Sequence, residues 1–384
     1  MQDNVNIIGR KEEIELLRNC YDSGKPEMVI VYGRRRVGKT YLVKKLLGDD
    51  FAFYMTGIYK GQKKRQLANF AYSLSEYTGN DEPLPENWTE AFRRLKDYLK
   101  TLDVPGRKVV FIDELPWLDT KRSDLLEAID LFWNGWGNNH DQLMLVLCGS
   151  ATGWITDKLL GDKGGLFNRD TMRLYLSPFT LAESEQFLLN KGIHASRYEI
   201  AEYYMVMGGI PYYLDKIQRG KSVAQNIDQI FFKRRGLLWD EFRHLYQTLF
   251  SENEKYIQIV RLLSTRREGF TREEISKGTG IPANGDLTKY LNDLCNCDFV
   301  MVYPQMGKKN NVVYRLSDLY TLFYFRFLED HTEEDFWSHN IDSPERRAWT
   351  GYATQIMLTT FGLKPSKHNS IIDTSLTLED LFVR

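Results

Sequence analysis

The chain has 384 residues, of which 42% are hydrophobic and 27% are charged. This length predicts two or three domains, and the composition is that of a folded globular protein rather than a disordered or fibrous one. The formal net charge is −1 at pH 7, which excludes an overall basic surface for nucleic acid or anionic lipid. Any such binding must therefore come from local patches.

The sequence shows no pattern typical of secretion or of a membrane span. The stretch "MQDNVNIIGRKEE" lacks a basic segment followed by an apolar one, and the apolar run 143–148 is far shorter than the roughly 20 residues of a span. The four cysteines follow neither a metal-ligand spacing nor a disulfide framework. We therefore expect a reduced, cytoplasmic protein that does not enter a membrane.

Five short apolar runs alternate with amphipathic stretches over the first 180 residues. Unbroken apolar runs are typical of strands that are buried on both faces of a parallel sheet. The alternation favours an α/β domain with a five-stranded parallel sheet and helices on both faces. The predicted strands are 28–32, 51–55, 108–113, 143–149 and 171–176, and the predicted helices are 11–20, 39–47, 64–77, 89–102 and 122–135.

The pattern changes after residue 180. Residues 181–247 are predicted to be helical with an interruption at 207–214. Residues 253–316 have the pattern of three helices followed by a hairpin, which is typical of a winged helix-turn-helix. We therefore divide the chain into an α/β domain, a helical segment, a winged helix and a C-terminal segment, with the bounds 1–180, 181–250, 251–317 and 318–384.

The first predicted strand leads into "GRRRVGKT" (33–40), which fits the phosphate-binding pattern G-x-x-x-x-G-K-[ST]. Between a strand and a helix, the backbone N–H groups of such a loop can face the phosphate oxygens of a nucleotide. Gly33 and Gly38 permit the tight turn, Lys39 is expected to reach the β- and γ-phosphates, and the Thr40 hydroxyl is expected to bind Mg²⁺. The alternative, a chance match on a surface loop, is disfavoured by the flanking strand and helix.

The other four loop residues have a less definite prediction. The backbone groups of Arg34, Arg35, Arg36 and Val37 are expected to complete the phosphate cradle. The three arginine side chains are expected either to be solvated or to raise the positive potential around an anionic ligand. The sequence does not distinguish these two roles.

A pair of acidic residues follows the third predicted strand. In "VVFIDELPWL" four apolar residues precede Asp113 and Glu114. Asp113 is expected to hold Mg²⁺ through its water shell, and Glu114 to orient or deprotonate the attacking water. The alternative is a solvated acidic pair at a strand end. Together with the upstream loop, the pair predicts nucleotide binding more firmly than it predicts hydrolysis.

These motifs resemble the AAA+-like ATPases of the archaeal ATPase family, which are grouped with the signal-transduction NTPases called STAND. The resemblance extends to about residue 350 and also rests on "IIGRKEEIELL" (7–17), "LVLCGSATGWI" (145–155), "LFNRDTMRLYLSPFT" (166–180) and "GGIPYYL" (208–214). It implies a P-loop NTPase sheet of order 5-1-4-3-2, a helical lid at 181–250 and a winged helix. ATP and Mg²⁺ are the implied ligands.

The resemblance also implies roles for five further residues. Ile8 and Gly9 would pack against adenine, or alternatively only lead into a helix. Ser150 would be a polar sensor near the γ-phosphate, or a strand-end cap. Arg169 would reach the γ-phosphate of a neighbouring subunit, or form an ion pair within its own chain. Pro211 would belong to the lid over the nucleotide, or simply break a helix.

The C-terminal segment departs from the family pattern. Relatives carry a module there that resembles PD-(D/E)xK nucleases, whereas here 346–353 resembles its entrance and 354–383 its exit, with almost nothing between them. The carboxylates that would bind a nuclease metal ion are missing. The acidic residues of this tail are Asp373, Glu379 and Asp380, and its only lysines are Lys364 and Lys367. We therefore expect a remnant without nuclease activity.

The winged helix offers a weak surface for DNA. Its expected recognition helix, about 285–296, has the polar residues Asp286, Lys289, Asn292, Asp293 and Asn296. One lysine against two aspartates is unfavourable for phosphate contacts. The basic clusters at 60–66 and 232–236 are expected to be solvated. A protein partner, or self-association through the lid and winged helix, is therefore favoured over DNA.

The sequence thus predicts an ATP-binding protein with slow Mg²⁺-dependent hydrolysis, which acts as a nucleotide-controlled conformational switch. Two alternatives remain. One is an ATP-gated DNA-binding regulator or initiator-like protein, and the other is an interaction scaffold that does not hydrolyse ATP.

Overall fold

The computed structural model describes residues 7–103, 106–161, 169–250, 252–304, 312–330, 333–360 and 382. The chain forms two compact units, Met1–Ser177 and Pro178–Arg384. None of the helices in the described ranges is long and apolar enough to cross a membrane.

The first unit contains a five-stranded sheet in which every pairing is parallel. Its order, β2-β3-β4-β1-β5, confirms the predicted order 5-1-4-3-2. Each strand lies within a residue of its predicted bounds. The strands are β1 (Glu27–Tyr32), β2 (Phe51–Thr56), β3 (Lys108–Asp113), β4 (Leu143–Gly149) and β5 (Met172–Tyr175).

Both faces of this sheet are covered. Met28 and Ile30 of β1 belong to the main apolar cluster of the unit, whereas Val29 and Val31, which point to the opposite face, are equally inaccessible to solvent. The helices are α1 (Lys11–Asp22), α2 (Lys39–Leu47), α3 (Lys63–Thr78), α4 (Trp88–Thr101), α5 (Leu115–Leu118), α6 (Leu125–Gly135) and α7 (Thr152–Lys158). The short helices α5 and α7 were not predicted, because an element of four to seven residues has too few turns to show a helical period.

The second unit is mostly helical. Its strands β6 (Phe270–Thr271), β7 (Val300–Pro304) and β8 (Val312–Leu316) form an antiparallel sheet of order β6-β8-β7. Its helices are α8 (Leu181–Asn190), α9 (Arg197–Met207), α10 (Pro211–Leu214), α11 (Val223–Ile227), α12 (Glu241–Leu249), α13 (Asn253–Ser264), α14 (Arg272–Thr279), α15 (Gly285–Asn296), α16 (Leu319–Phe323), α17 (Phe336–His339) and α18 (Pro344–Thr360). A single π-helical turn follows α11, at Asp228–Phe232, and another follows α16, at Tyr324–Leu328.

Four of these helices begin with the same reciprocal cap. A Ser or Thr side chain accepts the N–H three residues ahead, and the Glu or Gln at that position accepts the N–H of the Ser or Thr. The four pairs are Thr180 with Glu183, Ser196 with Glu199, Ser222 with Gln225, and Thr271 with Glu274. The pattern is local, so these helix starts can be predicted from sequence.

Residues 253–316 contain the predicted succession of α13, α14, α15 and a β7–β8 hairpin, to which the short β6 is added. From the sequence, Gly307, Asn310 and Asn311 are predicted to form the turn of this hairpin, and they lie outside the described residues. The expected nuclease entrance at 346–353 lies within α18. The charged residues of the tail, on which the nuclease prediction rests, also lie outside the described part of the chain.

Candidate functional site

The predicted phosphate loop connects β1 to α2, as its sequence requires. Gly33, with φ +136°, lies so close to β5 that a Cβ there would be 2.4 Å from the carbonyl oxygen of Leu176. The N–H of Leu176 in turn donates to the carbonyl of Tyr32, at 2.7 Å. Only glycine fits this approach of two backbone segments. The loop is therefore held against the sheet at its start and enters α2 through Gly38, whose φ is +96°.

The Lys39 side chain folds back over the loop. Its ammonium group donates to the carbonyl oxygens of Gly33 and Arg34, each at 2.8 Å, and the side chain is only 6% exposed. The cation is thus held at the centre of the loop by two neutral acceptors. A charged phosphate oxygen is a stronger acceptor than a carbonyl, so a bound phosphate can take over these bonds.

The second residue of α2 contacts the end of β3. The Thr40 hydroxyl donates to Oδ2 of Asp113 at 2.7 Å, and Asp113 is 4% exposed. Burial raises the pKa of the adjacent Cys148 thiol well above its usual value, and the Asp113 charge raises it further. The thiol therefore stays neutral beside the carboxylate.

The two oxygen donors of Thr40 and Asp113 suit Mg²⁺. This cation prefers oxygen ligands and usually keeps several waters, taking one or two carboxylates from the protein and the rest from substrate phosphates. The described part of the chain contains no group of three or more His, Cys, Asp or Glu side chains that lie close enough together to hold a metal ion. The donor set therefore fits magnesium held partly by a nucleotide rather than a metal bound by protein side chains alone.

Glu114 lies at the next position in a left-handed conformation, with φ +49° and ψ +46°. This conformation is uncommon for a residue with a side chain, and such strain concentrates at functional sites. Gly57 accommodates it: a Cβ on Gly57 would lie 2.6 Å from the Glu114 carbonyl oxygen. The turn directs the Glu114 carboxylate toward the end of β4.

At the end of β4, Ser150 binds the Glu114 carboxylate. Its hydroxyl lies 2.8 Å from Oε2 and 3.1 Å from Oε1, and its N–H lies 3.3 Å from Oε2. Ser150 is 1% exposed. The structure therefore brings together the loop, Lys39, Thr40, Asp113, Glu114 and Ser150, from three strand ends that are neighbours in the sheet.

Arg10 is a residue of this site that the sequence reasoning overlooked. Its guanidinium donates to the carbonyl oxygens of Val37, at 3.3 Å, and Ser177, at 2.6 Å, and it pairs with Glu13 at 3.3 Å. It is 5% exposed. Arg10 thus connects the phosphate loop with the chain that leaves β5. The sequence signal for Arg10 was its place in the "IIGR" motif, because it directly follows Ile8 and Gly9, which were expected to pack against adenine.

The three loop arginines differ from one another, and the solvated alternative is wrong for Arg34. Arg34 is 2% exposed. Arg35 is half-buried and lies over the Trp117 ring, with its guanidinium carbon 5.4 Å from the ring centroid. Arg36 has a left-handed backbone with φ +72°. The loop folds inward against the sheet and α5, so a position in the loop does not imply contact with water.

The other predicted residues have separate surroundings. Ile8 is half-buried, and Gly9 has φ +65° just before Arg10 and α1. Arg169 is exposed and forms no ion pair among the described residues. Pro211 is the first residue of α10 in the second unit, directly after two glycines with positive φ. Their predicted contacts with a nucleotide or a neighbouring subunit stay predictions.

Asp293 was counted among the polar residues that the expected recognition helix would present to phosphates, but it is buried. Its carboxylate is 7% exposed and accepts the Tyr256 hydroxyl at 2.6 Å. Asp286, Lys289 and Asn292 are exposed on the same helix. The helical period places residue 293 on the face packed against α13, which the polarity of Asp293 concealed.

Comparison with known proteins agrees with this geometry. The model of a family described as an ATPase domain predominantly from Archaea matches residues 7–217. The uncharacterized protein MJECL04 of Methanocaldococcus jannaschii is 27% identical over 325 residues, or 84% of this chain and 69% of that protein. The uncharacterized ATP-binding protein MJ0423 of the same organism is 51% identical over 43 residues, or 11% of this chain and 73% of that protein. Among solved structures, the Walker-type ATPase PABY2304 of Pyrococcus abyssi matches with a TM-score of 0.58 and 20% identity, covering 84% of this chain and 96% of that one, which is a likeness of fold.

Proposed function

Because the chain belongs to the family of ATPase domains found predominantly in Archaea, we propose that it is a slow Mg²⁺-dependent ATPase that works as a nucleotide-controlled switch. One observation carries the proposal. The residues with the chemistry for nucleotide hydrolysis meet at one edge of the parallel sheet, where Thr40 contacts Asp113 and Ser150 contacts Glu114. Ligand sites of parallel α/β sheets lie at this edge.

Each residue has a role that follows from its position. Lys39 binds β- and γ-phosphate oxygens after exchanging its bonds to the loop carbonyls, and the N–H groups at the start of α2 bind the same anion. Thr40 and Asp113 hold Mg²⁺, which neutralises phosphate charge. Glu114 orients the attacking water and accepts its proton. Ser150 positions the Glu114 carboxylate.

The switch follows from the bonds that must change. In this arrangement Lys39 is bonded to loop carbonyls and Glu114 to Ser150. A γ-phosphate competes with the loop carbonyls for Lys39, and a water in line with that phosphate competes with Ser150 for Glu114. ATP and ADP therefore favour different arrangements of the same loop. We propose that the second unit, with its helical segment and winged helix, provides the response, and that it has no nuclease activity.

Binding is tested by thermal or chemical unfolding with and without Mg-ATP. A ligand at about 100 times its dissociation constant stabilises the folded state by roughly 2.7 kcal/mol. Lys39→Ala should abolish this gain. The matched control is Lys45→Ala, an exposed lysine on the same helix, which should keep it. No stabilisation of the wild type, or equal stabilisation of Lys39→Ala, would contradict ATP binding at this loop.

Hydrolysis is tested separately. Glu114→Gln should retain ATP binding and lose turnover, while Glu127→Gln, an exposed glutamate on α6, should turn over normally. If the wild type binds ATP without producing phosphate, the protein is a non-hydrolysing scaffold. Turnover that persists in Glu114→Gln removes Glu114 from its proposed role.

A further inference from the structure

One exposed segment of the second unit combines basic and large apolar side chains. We call residues 233–239, "KRRGLLW", the basic loop. Lys233, Arg234 and Arg235 are all exposed. Leu237 and Trp239 are 54% and 52% exposed, although both are among the most apolar residue types. Tryptophan is highly buried on average, and exposed apolar side chains that lie together mark surfaces that contact other molecules.

The basic loop has a defined shape. Leu238, between the two exposed apolar residues, is 1% exposed, and its N–H donates to the Ile230 carbonyl at 3.1 Å. The N–H of Gly236 donates to the Lys233 carbonyl at 2.7 Å. Arg235 has φ +64°, a conformation that costs free energy for a residue with a side chain. Leu238 therefore anchors a turn that presents Leu237 and Trp239 outward.

A cavity of about 300 Å³ lies beside the basic loop. Its walls are aromatic, and Trp239 forms one edge of it. Phe242 and Tyr324 stack in parallel, with centroids 3.8 Å apart and planes 2° apart. The volume is at the lower end of the range for small-molecule sites, about 300–1,000 Å³. The aromatic lining residues are Phe231, Phe232, Trp239, Phe242 and Tyr324.

The cationic groups that an anionic ligand needs are supplied mainly by the basic loop beside this cavity. Of its two carboxylates, Glu329 pairs with Arg261, and Asp240 lies 2.9 Å from a ring nitrogen of His244. Arg243 also lines the cavity. In the described part of the chain, neither Arg234 nor Arg235 forms an ion pair, and Lys233 approaches Asp335 only to 3.9 Å. Three exposed cationic side chains thus lie in the loop whose last residue, Trp239, lines the aromatic cavity.

We propose that the basic loop and this cavity bind single-stranded nucleic acid. One base enters the aromatic cavity against Trp239, and the neighbouring phosphates contact Lys233, Arg234 and Arg235. Aromatic faces combined with a basic track are the usual means of holding single strands without sequence preference, because every base has a face that stacks. The carboxylates at the cavity can accept the amino groups of bases.

A single strand fits these features better than an anionic membrane does. Membrane-surface binding uses a broad apolar face, whereas here only Leu237 and Trp239 of the basic loop are exposed apolar side chains, and Trp239 lines a concave pocket. The pocket also discriminates against duplex, since a paired base cannot enter it. With a net charge of −1 for the whole chain, binding must depend on this local patch.

The test measures fluorescence anisotropy of labelled 20-nucleotide dT and U oligonucleotides and of a duplex, using the full chain without ATP. We expect both single strands to bind more tightly than the duplex, and the comparison of dT with U shows whether DNA or RNA is preferred. Affinity should fall with salt at a log–log slope of about −2 if three phosphates are neutralised, at roughly −0.7 for each.

Substitutions locate the binding on the basic loop. Trp239→Ala should weaken binding by about tenfold, as expected for loss of one stacked base. The triple change Lys233→Ala, Arg234→Ala, Arg235→Ala should bring the salt slope close to zero. The matched controls are Tyr198→Ala, another exposed aromatic of this unit, and the pair Lys64→Ala, Arg65→Ala, from the other basic cluster; both should bind like the wild type.

Several outcomes would overturn the proposal. One is that no oligonucleotide binds at 50 mM salt, and another is that Trp239→Ala binds with unchanged affinity. The third is that the Lys64→Ala, Arg65→Ala control loses as much affinity as the triple variant of the basic loop. The last experiment measures co-sedimentation of the protein with phosphatidylserine vesicles. If the wild type sediments with the vesicles, Trp239→Ala does not, and no oligonucleotide binds, the basic loop binds a membrane surface instead. Lys39→Ala should bind oligonucleotide normally, so this inference can fail or stand independently of ATP binding.

Discussion

The Ser150 hydroxyl lies 2.8 Å from Oε2 of Glu114, and the N–H of Ser150 approaches the same oxygen to 3.3 Å. The two residues are 36 positions apart in sequence and are brought together because β3 and β4 are adjacent parallel strands. A carboxylate that is to orient water needs a fixed direction, and Ser150 provides it from a buried position. The proposed role of Glu114 in orienting water therefore requires Ser150 to hold the Glu114 carboxylate in place.

Ser150→Ala removes both hydroxyl hydrogen bonds to Glu114 and leaves the weaker backbone bond. We expect kcat for ATP hydrolysis to fall about 10- to 100-fold, since misplacement of a catalytic group by about an ångström has an effect of that size. KM for ATP should change little, because in the described part of the chain the Ser150 side chain is hydrogen-bonded to Glu114 and not to the loop. Steady-state phosphate release measures both values. Ser150→Thr, which keeps the hydroxyl, should restore most of the rate. A rate increase in Ser150→Ala would contradict this role, because it would mean that Ser150 holds Glu114 in an inactive position.

Arg10→Ala removes the link between the Val37 and Ser177 carbonyls. Hydrogen bonds from a charged donor contribute about 1.5–3 kcal/mol each, so we expect the free energy of unfolding to fall by about 2–3 kcal/mol. ATP affinity should fall too, because the loop loses a support. Urea unfolding and ATP titration measure the two effects.

The control for Arg10 is Lys11→Ala, the exposed next residue, which should be neutral. Arg10→Lys should recover only part of the loss, since Nη2 of Arg10 donates to both carbonyls while Nη1 pairs with Glu13, and one ammonium group cannot take both positions. If Arg10→Ala lowered stability without changing ATP affinity, its role would be structural only.

Gly33→Ala places a Cβ 2.4 Å from the Leu176 carbonyl oxygen, at a backbone angle of +136°. Both the contact and the strain oppose folding, and we expect a loss of about 1–3 kcal/mol from the backbone strain alone. Phosphate binding should be abolished, because relief of the clash separates the loop from β5.

Gly48→Ala is the matched control for Gly33→Ala. A Cβ on Gly48 meets nothing within 4 Å, and φ there is −61°, so alanine is expected to be neutral or to stabilise by up to about 1 kcal/mol. Unfolding curves and Mg-ATP shifts of the two variants are measured together. A Gly33→Ala protein with wild-type ATP affinity would show that the loop does not need this approach to β5.

Tyr256→Phe tests the buried pair in the second unit. The Tyr256 hydroxyl donates to Asp293 at 2.6 Å, and its removal leaves a buried carboxylate short of a donor. We expect a loss of about 1–3 kcal/mol in the free energy of unfolding, measured by urea denaturation at pH 7. Tyr290→Phe, whose hydroxyl donates to the more exposed Glu252, should cost less.

The same pair predicts a dependence on pH. Burial raises the pKa of Tyr256, and the hydrogen bond to the Asp293 carboxylate raises it further. In the unfolded chain the tyrosine ionises near pH 10. The contribution of Tyr256 is therefore fully present below pH 10 and is lost as pH rises above that value. The stability difference between wild type and Tyr256→Phe should shrink at pH 10.5 compared with pH 7, and a constant difference would contradict the raised pKa.

Much of the first unit could be predicted from sequence. The parallel strands lie at their predicted positions because each is an unbroken apolar run, and burial on both faces requires such a run. The loop at 33–40 and the acids Asp113 and Glu114 could be predicted from short motifs next to those strands. Capped helix starts such as Thr180 and Ser196 are also local, since donor and acceptor are three residues apart.

What the sequence determined by itself is therefore the order of the strands in the first unit and the motifs whose residues are proposed to bind phosphate and magnesium. The tertiary structure alone decided which side chains those residues meet: Thr40 with Asp113 across 73 positions, Glu114 with Ser150, and Arg10 with Ser177 across 167. It also decided that Arg34 and Asp293 are buried although their polarity indicated the opposite. The physical reason is one of range: periodicity, turns and caps depend on neighbours within a few residues, whereas burial and hydrogen-bond partners depend on which strands and helices become adjacent in the folded chain.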